Sequence, residues 1–205
     1  MKYLYVYLVF LAQIIGCSTS TLIHSWKNTT STKKYSKILV VALSNFSDIY
    51  LRENMENHLV EDLNEAGVKA ISSINRYGPK TFENKSEETI LNSLQKDGID
   101  AVLTIVLLNK EKERYYTPSR VYYSPYIIYQ RRFWGYYTTI YDRIYEPGYY
   151  SESTNYFWES NLYDIENKEL IYSAQSKSFN PASINKLADE YGKIIKKDLI
   201  KMEAL

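Results

Sequence analysis

Two short stretches decide the fold class: KILVVALS, residues 37–44, and DAVLTIVLL, residues 100–108. Each is a nearly unbroken aliphatic run, rich in β-branched residues. A strand with one wet face alternates apolar and polar positions, so an unbroken run needs cover on both faces, as in a parallel sheet with helices above and below. The residues between the runs supply those helices. Ser47 or Asp48 can cap a helix in which Leu51, Met55, Leu59, Leu63 and Ala66 recur every three or four positions, with Gly67 as its stop. Val68–Ser72 reads as a short second strand. Ser86 opens another helix, with Glu87 and Glu88 at the positive end of its dipole, Ile90, Leu91 and Leu94 facing inward, and Gly98 at its end. The order is strand, helix, strand, helix, strand, with right-handed crossovers expected.

The second half changes style. Tyr156–Ile165 mixes aromatic and polar positions as a one-sided antiparallel strand does, Glu166-Asn167-Lys168 turns the chain, and Leu170–Phe179 returns as the hairpin partner. Asn180 with Pro181 behind it reads as the cap of a last helix, whose apolar stripe is Ile184, Leu187, Ala188, Tyr191, Ile194 and Leu199. The expected domain is therefore α/β with a mixed sheet over residues 37–205: βαβαβ, a long insert at about 110–152, an antiparallel hairpin and a C-terminal helix. Its expected core includes Leu39, Val41, Leu59, Leu63, Val102, Ile105, Leu162 and Leu187.

The chain opens differently. Lys2 is the sole charge before an apolar run of about 13 residues, roughly 20 Å as a helix and too short to cross a hydrocarbon core. A positive start, an apolar middle and a small residue at the end read as a secretory signal over residues 1–16. The run ends in Ile14-Ile15-Gly16-Cys17, which holds the only cysteine of the chain and resembles the lipobox of bacterial lipoproteins. That resemblance implies a diacylglycerol on the Cys17 thiol, cleavage before it, and further acylation (palmitate or a similar chain) of the new amino terminus. More than one acyl chain is what stable anchoring requires. Ser18 follows with no Asp nearby, which in such lipoproteins implies the outer membrane, here with the domain facing the periplasm. Residues 17–36, rich in Ser, Thr and Lys, then read as lipidated cysteine and tether, although Leu22, Ile23 and Trp26 could dock its inner half on the domain.

The element order over residues 37–109 and 153–201 resembles the periplasmic α/β domain of curli-secretion-channel lipoproteins, and is similar to the N-terminal domain of the Tol-system translocation protein. The runs KILVVAL, GIDAVLTIVLL and NLYDIENKELIYSAQS also resemble envelope lipoproteins with no assigned activity. The channel resemblance implies a subunit of an oligomeric secretion or assembly complex as an alternative reading, with the oligomeric state open. It does not extend to the pore: a membrane-spanning strand needs about 9–11 alternating residues, whereas RRFWGYYTTIYDRIY places Arg131 beside Arg132 and Gly135 inside the run.

Tyrosine is the compositional outlier, 22 residues against 6 Phe and 3 Trp. Twelve of them lie between Tyr115 and Tyr150, where Pro118, Pro125 and Pro147-Gly148 cut the chain into short pieces. Tyrosine has an apolar body and a polar tip, and arginine beside it adds stacking and cation–π contacts, a mixture suited to interfaces. Tyr122, Tyr123, Tyr126, Tyr129, Arg131, Arg132, Trp134, Tyr136 and Tyr137 form the candidate binding surface. An envelope protein partner, a glycan and the membrane itself all fit this composition; so does a loop folded over the open face of its own sheet.

Catalysis finds no support in the residues. Of two histidines, His24 lies in the expected tether and His58 beside the stripe of the first helix. Neither the spacings of a zinc or haem site nor a glycine-rich phosphate loop is present, so no metal, cofactor or catalytic residue is expected. A net charge of +1 carries no basic field, and nucleic acid is not an expected partner.

Overall fold

The computed structural model describes residues 18–30, 33–44, 48–80, 82–117 and 149–205. Among them lie six strands, β1 (Ser20–Lys27), β2 (Ile38–Leu43), β3 (Ala70–Ser72), β4 (Ala101–Thr117), β5 (Tyr149–Asp164) and β6 (Leu170–Phe179). The described helices are α1 (Ile49–Glu65), α2 (Ser73–Tyr77), α3 (Glu87–Lys96) and α4 (Ile184–Lys201). The strands form one mixed sheet in the order β1-β6-β5-β4-β2-β3. Residues Glu111–Thr154 make one compact unit and the remainder of the chain another.

In the larger unit, the two apolar runs behave as their composition requires. β2 pairs in parallel with β3 on one side and β4 on the other, with Ile38 opposite both Ala70 and Ala101. Its alternate residues serve two cores: Ile38, Val40 and Ala42 face a large cluster with α1 and α4, whereas Leu39 and Val41 face a smaller one with Leu94 of α3, Ile99 and Ile165. Of the expected core residues, Leu39, Val41, Leu59, Leu63, Ile105, Leu162 and Leu187 are buried, and Val102 packs half-buried against the smaller cluster. β5 and β6 form the expected antiparallel hairpin, with Ser160 opposite Ala174. The Ile165 amide donates to the Asp100 carbonyl (3.0 Å) and Thr104 Oγ1 to that of Asn161 (3.3 Å), so β4 and β5 run in opposite directions.

β3 is only three residues long and leaves one edge of β2 unpaired beyond Val40. Two side chains of α1, one turn apart, fill in for the missing strand. The Ala42 amide donates to Glu56 Oε1 (2.8 Å), and Arg52 Nε donates to the Ala42 carbonyl (2.8 Å). Glu56 is fully buried and also accepts from Ser72 Oγ (2.6 Å), Ser73 Oγ (2.8 Å) and the Ile74 amide (2.9 Å), where the chain leaves β3 for α2. A buried carboxylate persists only when its oxygens are satisfied in this way.

Four features depart from the expectations. Residues 20–27, placed in the tether, form the edge strand β1, antiparallel to β6 with Ser20 opposite Ser178 and Lys27 opposite Tyr172. The chain beyond it is held as well: the Ser36 and Lys37 amides both donate to the Asp100 carboxylate, and Lys33 pairs with Asp164 (2.8 Å) and Glu166 (2.9 Å). The short helix α2 has no counterpart in the expected elements; the Ser72 hydroxyl caps it by accepting from the Asn75 amide (3.2 Å). β4 continues well past Leu108 to Thr117, and its partner β5 begins at Tyr149, ahead of the expected Tyr156. The cap of α4 is Ser183, whose hydroxyl accepts from the Lys186 amide (3.1 Å), and Asn180 instead turns the chain with φ 42°.

Candidate functional site

Cys17 and the nine residues of the candidate surface, Tyr122, Tyr123, Tyr126, Tyr129, Arg131, Arg132, Trp134, Tyr136 and Tyr137, lie outside the described residues. The structure does describe the two strand ends that bracket the tyrosine-rich segment, 111–117 of β4 and 149–154 of β5. Their sequences, EKERYYT and YYSEST, alternate charge, hydroxyl and aromatic rings without an apolar face to bury. The result is a ribbon whose side chains, Ser153 apart, reach water, and several of them hold one another.

Arg114 organises this ribbon. Its guanidinium pairs with Glu152 across the strands (Nε to Oε1 2.9 Å) and lies 5.6 Å from the centre of the Tyr150 ring. The Tyr150 ring meets that of Tyr116, centroids 4.9 Å apart and planes at 45°. Arg114 and Tyr116 thus share a face with Tyr150 and Glu152, in the cross-strand pairing that stabilises sheets. The hydrogen bond and charge of Arg114 hold the Glu152 carboxyl below its ordinary range. Tyr115 donates to Glu113 on its own strand, which raises the phenol's pKa.

Even so paired, the rings remain accessible: Tyr115, Tyr116, Tyr149 and Tyr150 are 54, 55, 64 and 65 % exposed. Large exposed aromatics with an arginine among them are enriched at protein interfaces, because they bring much contact area at little conformational cost. Tyr149 and Tyr150 could be found from the sequence as part of the tyrosine cluster. The role of Arg114 could not, because the signal for it is a cross-strand contact with residue 152.

Two other places could do chemistry. At the carboxyl end of β2 a cavity of about 240 Å³ is lined by Ser44, Arg52, Ser73, Pro79, Lys80 and Phe82 among others. Arg52 in its wall is already committed to the Ala42 and Pro79 carbonyls. Among the described residues no cluster of His, Cys, Asp and Glu has the form of a metal site. His58 stands at the helix surface, where Nε2 meets Asn185 Oδ1 of α4 at 2.8 Å.

No protein-family model matches the chain, and no curated protein matches it by sequence. Among solved structures the chain is similar to a PelC dodecamer subunit (L103M) from Paraburkholderia phytofirmans, with 9 % identity, 86 % of this chain and 96 % of that one covered, and a TM-score of 0.47. It is similar to lipoprotein GNA1162 from Neisseria meningitidis, with 17 % identity, 83 % and 99 % covered, and a TM-score of 0.44. A PDZ domain protein from Parabacteroides distasonis gives 5 % identity, 93 % and 39 % covered, and a TM-score of 0.39. All three scores are low, so the chain's function is read from its own residues.

Proposed function

We propose that the protein is a lipid-anchored module of the cell envelope that binds a protein partner through its tyrosine-rich segment and carries out no catalysis. The observation behind this reading is the ribbon itself: two strand ends that present Tyr115, Tyr116, Tyr149 and Tyr150 to solvent around an arginine. Tyrosines needed only for packing would be buried, as Tyr172 and Tyr191 are. The segment between the ribbon's strands continues the same composition, and its candidate contacts are the nine residues from Tyr122 to Tyr137. The anchor is Cys17, after removal of a signal peptide spanning residues 1–16, and the location that follows is the outer membrane with the domain on the periplasmic side.

Replacing Trp134, Tyr136 and Tyr137 together with Ser tests the binding surface. Partner recovery by crosslinking in intact cells should fall while the melting temperature barely moves. A fall in stability of several kcal/mol, the cost of uncovering buried rings at about 25 cal/mol per Å², with partner recovery intact per folded molecule, would make the segment a covering layer of the fold. The anchor has its own test: an alkyne fatty acid should label the wild-type protein, and equal labelling of Cys17→Ala would remove Cys17 from the account.

A further inference from the structure

We propose that the end of the domain formed by the start of β1, the end of β6 and the β6–α4 loop rests at the lipid headgroups, held there by an anchor without slack. The inference rests on the reading of Cys17 as the acylated residue and adds what that residue does to the domain. A flexible chain over residues 18–36 would let the domain wander by roughly 24 Å from its anchor. Instead the fold closes on the chain within two residues of Cys17. The Thr19 amide and Oγ1 both donate to Glu190 Oε2 of α4 at 2.7 Å, and Ser18 Oγ reaches the same oxygen at 3.4 Å. The Phe179 amide donates to the Thr19 carbonyl at 2.8 Å, and the Ser20 and Ser178 hydroxyls meet at 2.7 Å. Two Cα–Cα steps of about 3.8 Å each separate Cys17 from Thr19, where the clasp takes hold of the backbone.

Glu190 suits a lasting hold. Burial pushes its carboxyl up, but the bonds from Thr19 and the pairing with Lys186 outweigh that and leave it below its ordinary range. It is therefore ionised at neutral pH, and the clasp weakens only as acid brings the pH down through that lowered value. The surface around the clasp fits a bilayer edge. Phe179 is 51 % exposed, Ala182 is exposed, and Pro181 lies half-buried between them. Lys186 is exposed beside them, and the first turn of α4 carries no acidic residue. Phenylalanine settles at the boundary between headgroups and acyl chains, and a lysine beside it favours an anionic surface.

The test uses the full chain, acylated and reconstituted in vesicles containing anionic lipid and a headgroup-spin-labelled lipid. A fluorophore is attached at Ala182→Cys, or in a second variant at Glu169→Cys, at the far end of β6 and roughly 33 Å away along the strand. Mass spectrometry of the N-terminal peptide first establishes that Cys17 carries its acyl chains. With acylation present, the label at position 182 should lose most of its emission and the label at 169 should keep it. A ten-residue Gly-Ser insertion after Ser18 should erase the difference. Equal quenching at both positions in the acylated protein, or quenching at 182 unchanged by the insertion, overturns the seated arrangement while leaving the anchor in place. A terminus without acyl chains overturns both.

Discussion

Glu56 is a charge in a place where charge is expensive, and the reason lies in the length of one strand. β3 ends opposite Val40, so Ala42 has no partner on that edge, and the Glu56 carboxylate with the Arg52 guanidinium supplies both missing hydrogen bonds. Four donors converge on the carboxylate, from Ala42, Ser72, Ser73 and Ile74. Leaving buried donors unpaired costs about 1–3 kcal/mol each. Glu56→Ala should therefore destabilise the protein by at least about 4 kcal/mol, a large share of a typical domain's 5–15 kcal/mol. Denaturant unfolding reads this directly, and a loss under about 1 kcal/mol would mean that water or a neighbour replaces the carboxylate at little cost. Nothing in the sequence marks Glu56 for this role. It stands beside Met55 in a helix full of acidic residues, and its partners come from 14 to 18 residues away.

At the scale of elements, α1 and α4 lie side by side over the larger core and are held close by a glycine. A Cβ at Gly192 would collide with the Asp62 carboxylate and come within 3.5 Å of the His58 backbone carbon. Asp62 has little room to move, since it is buried and paired with Lys196. Alanine is the better helix former by about 1 kcal/mol, whereas forcing an extra carbon into a packed contact costs about 1–3 kcal/mol. The clash wins: Gly192→Ala should lower the melting temperature, and a rise would show that the helices are not packed so tightly. The helices themselves were legible, because stripes such as Leu51, Met55, Leu59 and Leu63 impose their period on the sequence. β1 was not. Its residues are Ser, Thr and His around Leu22, Ile23 and Trp26, the composition of a linker, and what makes them a strand is pairing with β6, some 150 residues along the chain. The extension of β4 was hidden for a similar reason: Asn109 to Thr117 has no apolar face, and its order comes from contacts across the ribbon such as Arg114 with Glu152.

For the whole molecule, the chain folds as two compact units. Residues outside Glu111–Thr154 build the α/β sheet with its two cores and close on the chain within two residues of Cys17. Residues 111–117 and 149–154 form the ribbon that opens and closes the tyrosine-rich segment. The division of the sequence into apolar runs and a tyrosine-rich stretch follows the division into two units, but residue types that serve any interface alike do not name a partner. On the proposed function, binding is local to the ribbon and its segment. A photo-crosslinking amino acid placed at Tyr149 in the full-length protein, against a control at Tyr163, an exposed tyrosine of the larger unit, tests it in intact cells. One defined adduct is expected from position 149 and none from 163; adducts equal at both positions, or absent from 149 in a folded and exported protein, would contradict local binding.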